Sequence, residues 1–465
     1  MQLPSECLEQ IFSYFGDCRP ALHNCSKVSH SWRQAVIRLL YRNPWGFLPL
    51  PKYGKYATPD EYRIKQLIRT LVSSSVATFP KNEQEFIGSR GTEGYTNYLP
   101  LLKVLDLRYM APWHGDFSLT TGHKVTHKLW KLVRDNCSTI LEKLVFVEIL
   151  SLADVFPLGI SYPSLKSICL HIEDFDIAQA SVIARACHNI HRLRIRAHYL
   201  EDAAIAKVIS AQIPQSLKEL FLVCDRGIRS VSETINTLIE YHRFSCTELR
   251  FSFQSCGLFF TSDNKEAILR ISQLPNLRIL EFSCCKCVDD ECILEIARNC
   301  LLLEEIDLSL TSVTMVGITY LMERLGANLK KLVIAQNSNN VVENVVPIIA
   351  RYCRQLRYLD IRGLPYTVAD IRHLSNCSGL STLVLGNCGE TEVNTVDEML
   401  CRLVTECKSL NYLDFGRVPV TEKVVLMLAQ HKNLHTIKLN LHTLKLTQSM
   451  VESMIAPKIA QFTPF

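Results

Sequence analysis

One phrase recurs through the last three-quarters of this chain: L-x-x-L-x-L, with Ile or Phe able to replace Leu. It reads LKVLDL from Leu102, LEKLVF from Leu141, LKSICL from Leu165, IHRLRI from Ile190 and LKELFL from Leu217. It returns as LRILEF from Leu277, LEEIDL from Leu303, LKKLVI from Leu329, LRYLDI from Leu356, LSTLVL from Leu380, LNYLDF from Leu410 and LHTIKL from Leu434, with CTELRFSF around Leu249 as a degenerate copy. Between Leu277 and Leu356 the steps are 26 or 27 residues. Alternate residues of a strand face opposite ways. Leu280 and Phe282 are therefore expected to point inward, and Ile279, Glu281 and Ser283 outward. Between the phrases lie helical patterns such as DDECILEIARNC, with Ile293, Ile296 and Ala297 on one face. One strand and one helix cannot bury their own apolar face, whereas stacked neighbours can.

Phrase and period are similar to those of leucine-rich repeats, whose units run about 20–29 residues. The 19 cysteines support that likeness. Cys187, Cys246, Cys300, Cys353, Cys377 and Cys407 all stand three residues before a repeat anchor. Cys285 and Cys388 stand three residues after the last apolar position, as Asn337 does in another copy. This resembles the cysteine-containing subclass of these repeats, in which such positions turn inward. The cluster CCKC from Cys284, with Cys292 nearby, raises a metal. Structural zinc normally uses two spaced pairs, and only one compact cluster is present. Buried thiols are the expectation, with no metal and no cofactor.

The N-terminus has its own logic. Pro4 suits a first helical turn, where its missing N–H is no loss. Cys7, Leu8, Ile11, Phe12 and Phe15 form an i, i+3, i+4 stripe. Pro20 opens a second short helix bearing Leu22 and Cys25, and Ser29 caps a third carrying Trp32, Val36, Leu39 and Leu40. Three short helices in about 40 residues make a very small core.

LPSECLEQIF followed by LHNCSKVSHSWRQAV resembles an F-box. Leu3, Pro4, Glu6, Leu8, Ile11, Leu22, Cys25, Val28, Ser29 and Trp32 stand where that family's pattern wants them, although Phe15 replaces the usual Leu. YRNPW, from Tyr41, is similar to an extension seen in fungal members. The expected fold class is α/β: a small N-terminal three-helix F-box, then a curved leucine-rich-repeat solenoid with a parallel sheet on its concave face and helices outside. The expected domains are 1–45 for the F-box, 46–100 for a connector that is either a linker or, as favoured, an N-terminal cap of the solenoid, and 101–465 for about 12–13 repeats with a C-terminal cap. Within the connector, Ile64, Leu67, Ile68 and Leu71 have helical spacing.

The resemblance implies a function. F-box proteins dock on the Skp-family linker of a Skp–cullin–F-box (SCF) cullin-RING ubiquitin ligase, and a separate domain captures a protein substrate for ubiquitination and proteasomal degradation. Family position puts Leu3, Pro4, Leu8, Ile11, Phe12, Val28 and Trp32 at or behind the linker contact. Substrate capture would fall to outward strand positions. Arg192, Arg194 and Arg196 make a basic band there; Glu281, Glu305 and Asp307 make an acidic one; Tyr358, Asp360, Arg362, Tyr412 and Asp414 follow. The alternative is a leucine-rich scaffold that acts by protein association without cullin.

Other classes find little support. With 48% hydrophobic and 21% charged residues the chain can build a large core, and a net charge of +5 is too diffuse for a nucleic-acid binder. No apolar run reaches the roughly 18 residues of a membrane span. The absence of a basic-then-apolar leader leads to an expectation of a cytoplasmic or nuclear protein with reduced thiols. None of the phosphate-loop, dinucleotide, zinc-protease or nucleophile-elbow motifs occurs, so no catalytic residue is expected.

Overall fold

The computed structural model describes residues 3–15, 18–47, 98–109, 130–148, 150–253, 262–337, 345–366, 368–386, 393–414, 421–439 and 459–462, with isolated positions 67, 70, 71, 128 and 341. The expected connector, apart from its edges and three of these positions, lies outside the described residues, as does Cys388. The chain divides into two compact units: Met1–His198 with Lys207–Leu217, and Tyr199–Ala206 with Lys218–Phe465. That division falls within the repeats, so the N-terminal helices and the first repeats share one unit.

The first unit begins with three helices, α1 (Ser5–Ser13), α2 (Arg19–Cys25) and α3 (His30–Arg42). Leu8, Phe12, Leu22, Ala35 and Val36 form their buried core, with Cys25, Trp32, Leu39 and Leu40 packed against it. Ser29 caps α3 by accepting the Trp32 N–H at 3.2 Å. Strands β1 (Val104–Asp106), β2 (Lys143–Val147), β3 (Ser167–His171), the short β4 (Asp174–Phe175) and β5 (Arg192–Leu200) follow. β1, β2, β3 and β5 pair in parallel, aligning Leu105, Leu144, Ile168 and Leu193. All four are buried.

The second unit continues with β6 (Glu219–Gly227), β7 (Glu248–Phe253), β8 (Ile279–Ser283), β9 (Glu305–Asp307) and β10 (Lys331–Val333). It ends with β11 (Tyr358–Asp360), β12 (Thr382–Val384), β13 (Tyr412–Asp414), β14 (Thr436–Leu439) and β15 (Ile459–Phe462). These strands pair in parallel in chain order. One column of side chains runs Leu220, Leu249, Leu280, Ile306, Leu332, Leu359, Leu383, Leu413 and Ile437, all fully buried. Full burial of each contributes about 1.5–3 kcal/mol relative to exposure. Every copy of the phrase has become a strand, the degenerate one included. β4 and β15 carry no copy and were not foreseen. Within each unit the strands form an open, parallel leucine-rich-repeat ladder, and among the described residues helices lie between most successive strands.

The joints between repeats are polar and specific. Asp289 caps the helix Asp290–Asn299, and its neighbour Asp290 reaches the next repeat. Asp290 accepts from Thr314 N–H at 2.7 Å, from the Thr314 hydroxyl at 2.5 Å and from Gly317 N–H at 3.1 Å. Asp397 holds Thr421 in the same manner. A carboxylate there satisfies orphan donors of the following helix and favours its positive end.

Cys300, Cys353, Cys377 and Cys407 are buried, and burial pushes their thiols up to about 12, 12, 11 and 12. Cys300 Sγ donates to the Leu274 carbonyl at 3.5 Å and Cys377 Sγ to that of Cys353 at 3.3 Å, so these thiols staple neighbouring repeats. Cys246 differs from its expected place. Because Leu249 aligns with Leu220 and Leu280, Cys246 occupies the anchor position of Leu217 and Leu277 rather than standing three residues before it. Cys285 and Asn337 are buried past the strand ends as expected. Asn337 accepts from Thr311 N–H at 3.0 Å and donates to the Leu308 carbonyl at 2.6 Å. In the CCKC cluster burial raises Cys287 to about 12, and it raises the nearby Cys292 to about 12 as well. Among the described residues no three His, Cys, Asp or Glu side chains gather as metal ligands.

One turn repeats beyond the strands. Cys284, Leu310, Gln336 and Gly363 share a repeat position, and all have positive φ, from 56° to 77°. There Cys284 N–H donates to the Ser309 carbonyl, Leu310 N–H to Ala335 and Gln336 N–H to Arg362, at 2.6–3.2 Å. The bonds extend the ladder through a conformation that disfavours side chains with a Cβ. Among the described residues no helix is long and apolar enough to cross a membrane.

Candidate functional site

The stripe on α1 separates into two faces. Leu8 and Phe12, four apart, turn into the three-helix core at 1% exposure each. Leu3, Ile11 and Phe15 face outward, with Ile11 at 45%; Val28, just before α3, is 61% exposed, and Pro4 and Cys7 are exposed as well. The expected contact set therefore divides. Leu3, Pro4, Ile11 and Val28 lie on the surface. Leu8 and Phe12 do not: a core this small needs both, and Trp32 packs edge-on against Phe12 at 5.0 Å. Tyr14, 85% exposed, belongs to the surface patch although its register did not single it out.

The segment after α3 is bonded directly to the first strand. Lys103 N–H donates to the Arg42 carbonyl at 3.0 Å. Trp45 donates its indole N–H to the Val104 carbonyl at 2.9 Å and stacks on Tyr109 at 5.4 Å. Tyr41 stacks on Tyr98 at 4.1 Å. Glu142 accepts from Arg42 at 3.0 Å and from Lys103 at 2.6 Å. Burial pushes the Glu142 carboxyl up, but the hydrogen bonds and charges of Lys103 and Arg42 outweigh it and hold the group below its ordinary range.

On the outward face of the first unit, Arg192, Arg194 and Arg196 are all exposed, as their spacing predicts. The register places them beside Ser167, Cys169 and His171. At β1, Asp106 is buried beneath Arg108, which donates Nε at 2.9 Å and Nη2 at 2.6 Å in a two-pronged pair. Sequence reasoning passed over Arg108, Lys143, Cys169 and His171; the L-D-x-R spacing of Asp106 and Arg108 was the available signal.

In the second unit, Arg250 and Lys331 both reach the Glu281 carboxylate, at 2.6 and 3.0 Å, and Lys331 also lies over the Tyr358 ring at 5.6 Å. Glu305 and Asp307 are half-buried on β9. Burial raises the Asp307 carboxyl, against which the Ser309 hydrogen bonds pull down. Lys331, Tyr358, Arg362, Asp307 and Ser283 line one groove of about 300 Å³. Two expected surface groups are corrected here. Asp360 is 1% exposed because Arg362 folds over it, donating Nε at 3.0 Å and Nη2 at 2.7 Å. Asp414 is buried with Lys438 at 3.3 Å. Both point away from the core, yet a neighbouring cation covers each. Tyr358 and Tyr412 keep their half-buried places on the face.

A family model described as F-box-like matches residues 1–45. A comparison with curated protein sequences finds no match. Among solved structures, the chain is similar to an internalin (inlF) from Listeria monocytogenes, at 14% identity and a TM-score of 0.40, over 76% of this chain and 93% of that one. It is also similar to a structure described as the Rad7 and Elc1 complex in yeast, at 16% identity and a TM-score of 0.44, over 99% of this chain and 98% of that one. Likenesses so distant add nothing to the argument; the repeat fold rests on the column of registered leucines. Residues 1–45 are an F-box-like domain, and leucine-rich repeats follow it.

Proposed function

From a chain that joins an F-box-like domain to leucine-rich repeats, we propose a non-catalytic substrate-recognition subunit of an SCF ubiquitin ligase. The helices α1–α3 dock a Skp-family linker, and through it cullin, while the outward strand face captures a protein substrate. One observation carries this reading. The three helices complete their own core with Leu8, Phe12 and Leu22, yet leave Leu3, Ile11, Phe15 and Val28 exposed in the segment that matches the F-box-like model. An apolar patch that its own fold does not need is suited to a partner. Such a subunit performs no bond chemistry. It raises the effective concentration of substrate lysines beside a conjugating enzyme held elsewhere.

The test is affinity capture with the intact chain and with Ile11→Asp. The expected result is recovery of Skp-family linker and cullin by the parent chain, and loss of both by the variant while other partners remain. Recovery of neither subunit by the parent chain would refute the reading. Linker without cullin would leave a scaffold that acts by association alone.

A further inference from the structure

Four copies of the repeat phrase place an aspartate at the same outward position: Asp106, Asp307, Asp360 and Asp414. Three of them are covered by a cation of this chain. Arg108 and Arg362, each two residues on, donate Nε and Nη2 to Asp106 and Asp360. Lys438, in register on the next strand, lies 3.3 Å from Asp414. All three carboxylates are buried beneath these charges.

Asp307 is the exception. Ser309 stands where Arg108 and Arg362 stand in their copies. Its N–H donates to Asp307 at 2.8 Å, as the Arg108 and Arg362 N–H groups do to their aspartates at 3.1 Å. The backbone turn is kept and the guanidinium is missing. Nor do the register neighbours supply a cation, being Glu281 on β8 and Val333 on β10. Among the described residues Asp307 has no ion pair, and it stays half-buried.

The cations of the surrounding strands are engaged. Arg250 and Lys331 both hold Glu281, at 2.6 and 3.0 Å, and Arg362 holds Asp360. At the outward positions of β7–β11 these three meet five carboxylates: Glu248, Glu281, Glu305, Asp307 and Asp360. On one side β6 adds Glu219, Asp225 and Arg226; on the other, β12 adds no charge. The groove of about 300 Å³ beside Asp307 is lined in part by short side chains, Ser283, Ser309 and Ala335, which leave space for a longer one.

We infer that this groove takes an arginine side chain of a protein partner, whose guanidinium closes on Asp307 as Arg108 closes on Asp106 and Arg362 on Asp360. A guanidinium presents a planar fork that matches a carboxylate, and a lysine ammonium does not. The inference rests on the reading that the outward strand face captures substrate.

The test titrates the intact chain with Gly-Arg-Gly, blocked at both ends, and follows binding by saturation-transfer NMR. The Arg peptide is expected to bind more tightly than Gly-Lys-Gly and far more tightly than Gly-Gln-Gly. Asp307→Asn should weaken it about tenfold, the usual loss with a charged hydrogen bond. Ser309→Arg should weaken it as much, because it supplies the guanidinium from within the chain. Thermal melts no lower than the parent's establish that both variants fold. Undiminished binding by either variant, equal binding of the Lys or Gln peptide, or a preference for Gly-Glu-Gly would each overturn the inference. Linker capture, measured on the same preparations, separates the two readings. Arg-peptide binding without linker leaves this inference standing and removes the docking reading; linker without Arg-peptide binding overturns this inference alone.

Discussion

Trp45 donates its indole N–H to the Val104 carbonyl at 2.9 Å, so the end of the F-box-like segment is bonded to the first strand of the repeats. Trp45 is buried and stacked on Tyr109. Trp45→Ala is expected to destabilise the first unit by about 3–5 kcal/mol, the usual cost of removing a buried Trp. A denaturant melt followed by circular dichroism checks the size. Limited proteolysis should at the same time show new cleavage between α3 and β1.

The ion pairs beside that bond make the junction sensitive to acid. A carboxyl held below its ordinary pKa in the folded chain contributes stability that is fully present above its unfolded pKa, about 4.3. It loses that stability as pH falls through the folded value. The Glu142 carboxyl is lowered by Lys103 and Arg42 against burial. Stability should therefore drop below about pH 4, and Glu142→Gln should remove that part of the drop. Melts of both proteins between neutral and acid pH decide it.

Leu8 and Ile11 stand three residues apart on α1 but serve different ends. Leu8→Ala should cost about 2–5 kcal/mol, because nothing can refill so small a core. Ile11→Asp should change stability by no more than about 0.5 kcal/mol, since its side chain is 45% exposed. Only the second variant should separate folding from linker capture, measured by thermal melt and pull-down together.

The turn that follows the strands offers a test of backbone strain. A Cβ on Gly386 would lie 2.5 Å from Gly363 N and 2.8 Å from Arg362 Cα, both backbone atoms. Gly386→Ala should cost about 2–3 kcal/mol through overpacking. Gln336 has φ of 57° and an exposed side chain, so Gln336→Gly should stabilise the chain. Relief of about 1–2 kcal/mol exceeds glycine's entropic cost of about 0.5–1 kcal/mol. Chemical denaturation of the two variants should move in opposite directions.

Cysteine reactivity should report the repeats directly. Cys300, Cys353 and Cys407, held near 12 by burial, should resist iodoacetamide at pH 8 while the chain is folded. Cys7 and Cys18, on the surface, should label first. Denaturant should erase the difference. Labelling of Cys300 as fast as Cys7 in the folded protein would contradict the staple role drawn for it.

Much of this was legible without coordinates. The phrase located all thirteen of its strands, because a period of two and a period near 26 residues leave one way to bury every leucine. The F-box-like helices were equally plain from Pro4, Ser29 and the apolar spacing between them. Cys246 was misplaced because its copy lacks the leucine that marks the anchor, and only pairing with Leu220 and Leu280 restores the count. Asp360 and Asp414 were expected on the open face, since alternation gives the side of a sheet but not what lies across it.

That difference marks the boundary between the two kinds of information. Local pattern determined the repeats, their strands, the buried columns and the three helices, because each depends on which side chains must leave water within a few turns of chain. Tertiary structure decided which stripe residues remain for a partner, how Trp45 and Glu142 bind helix to strand, and which charges Arg362 and Lys438 cover. Those outcomes depend on side chains brought together from distant segments, and a surface charge becomes available or hidden only once its neighbour has arrived.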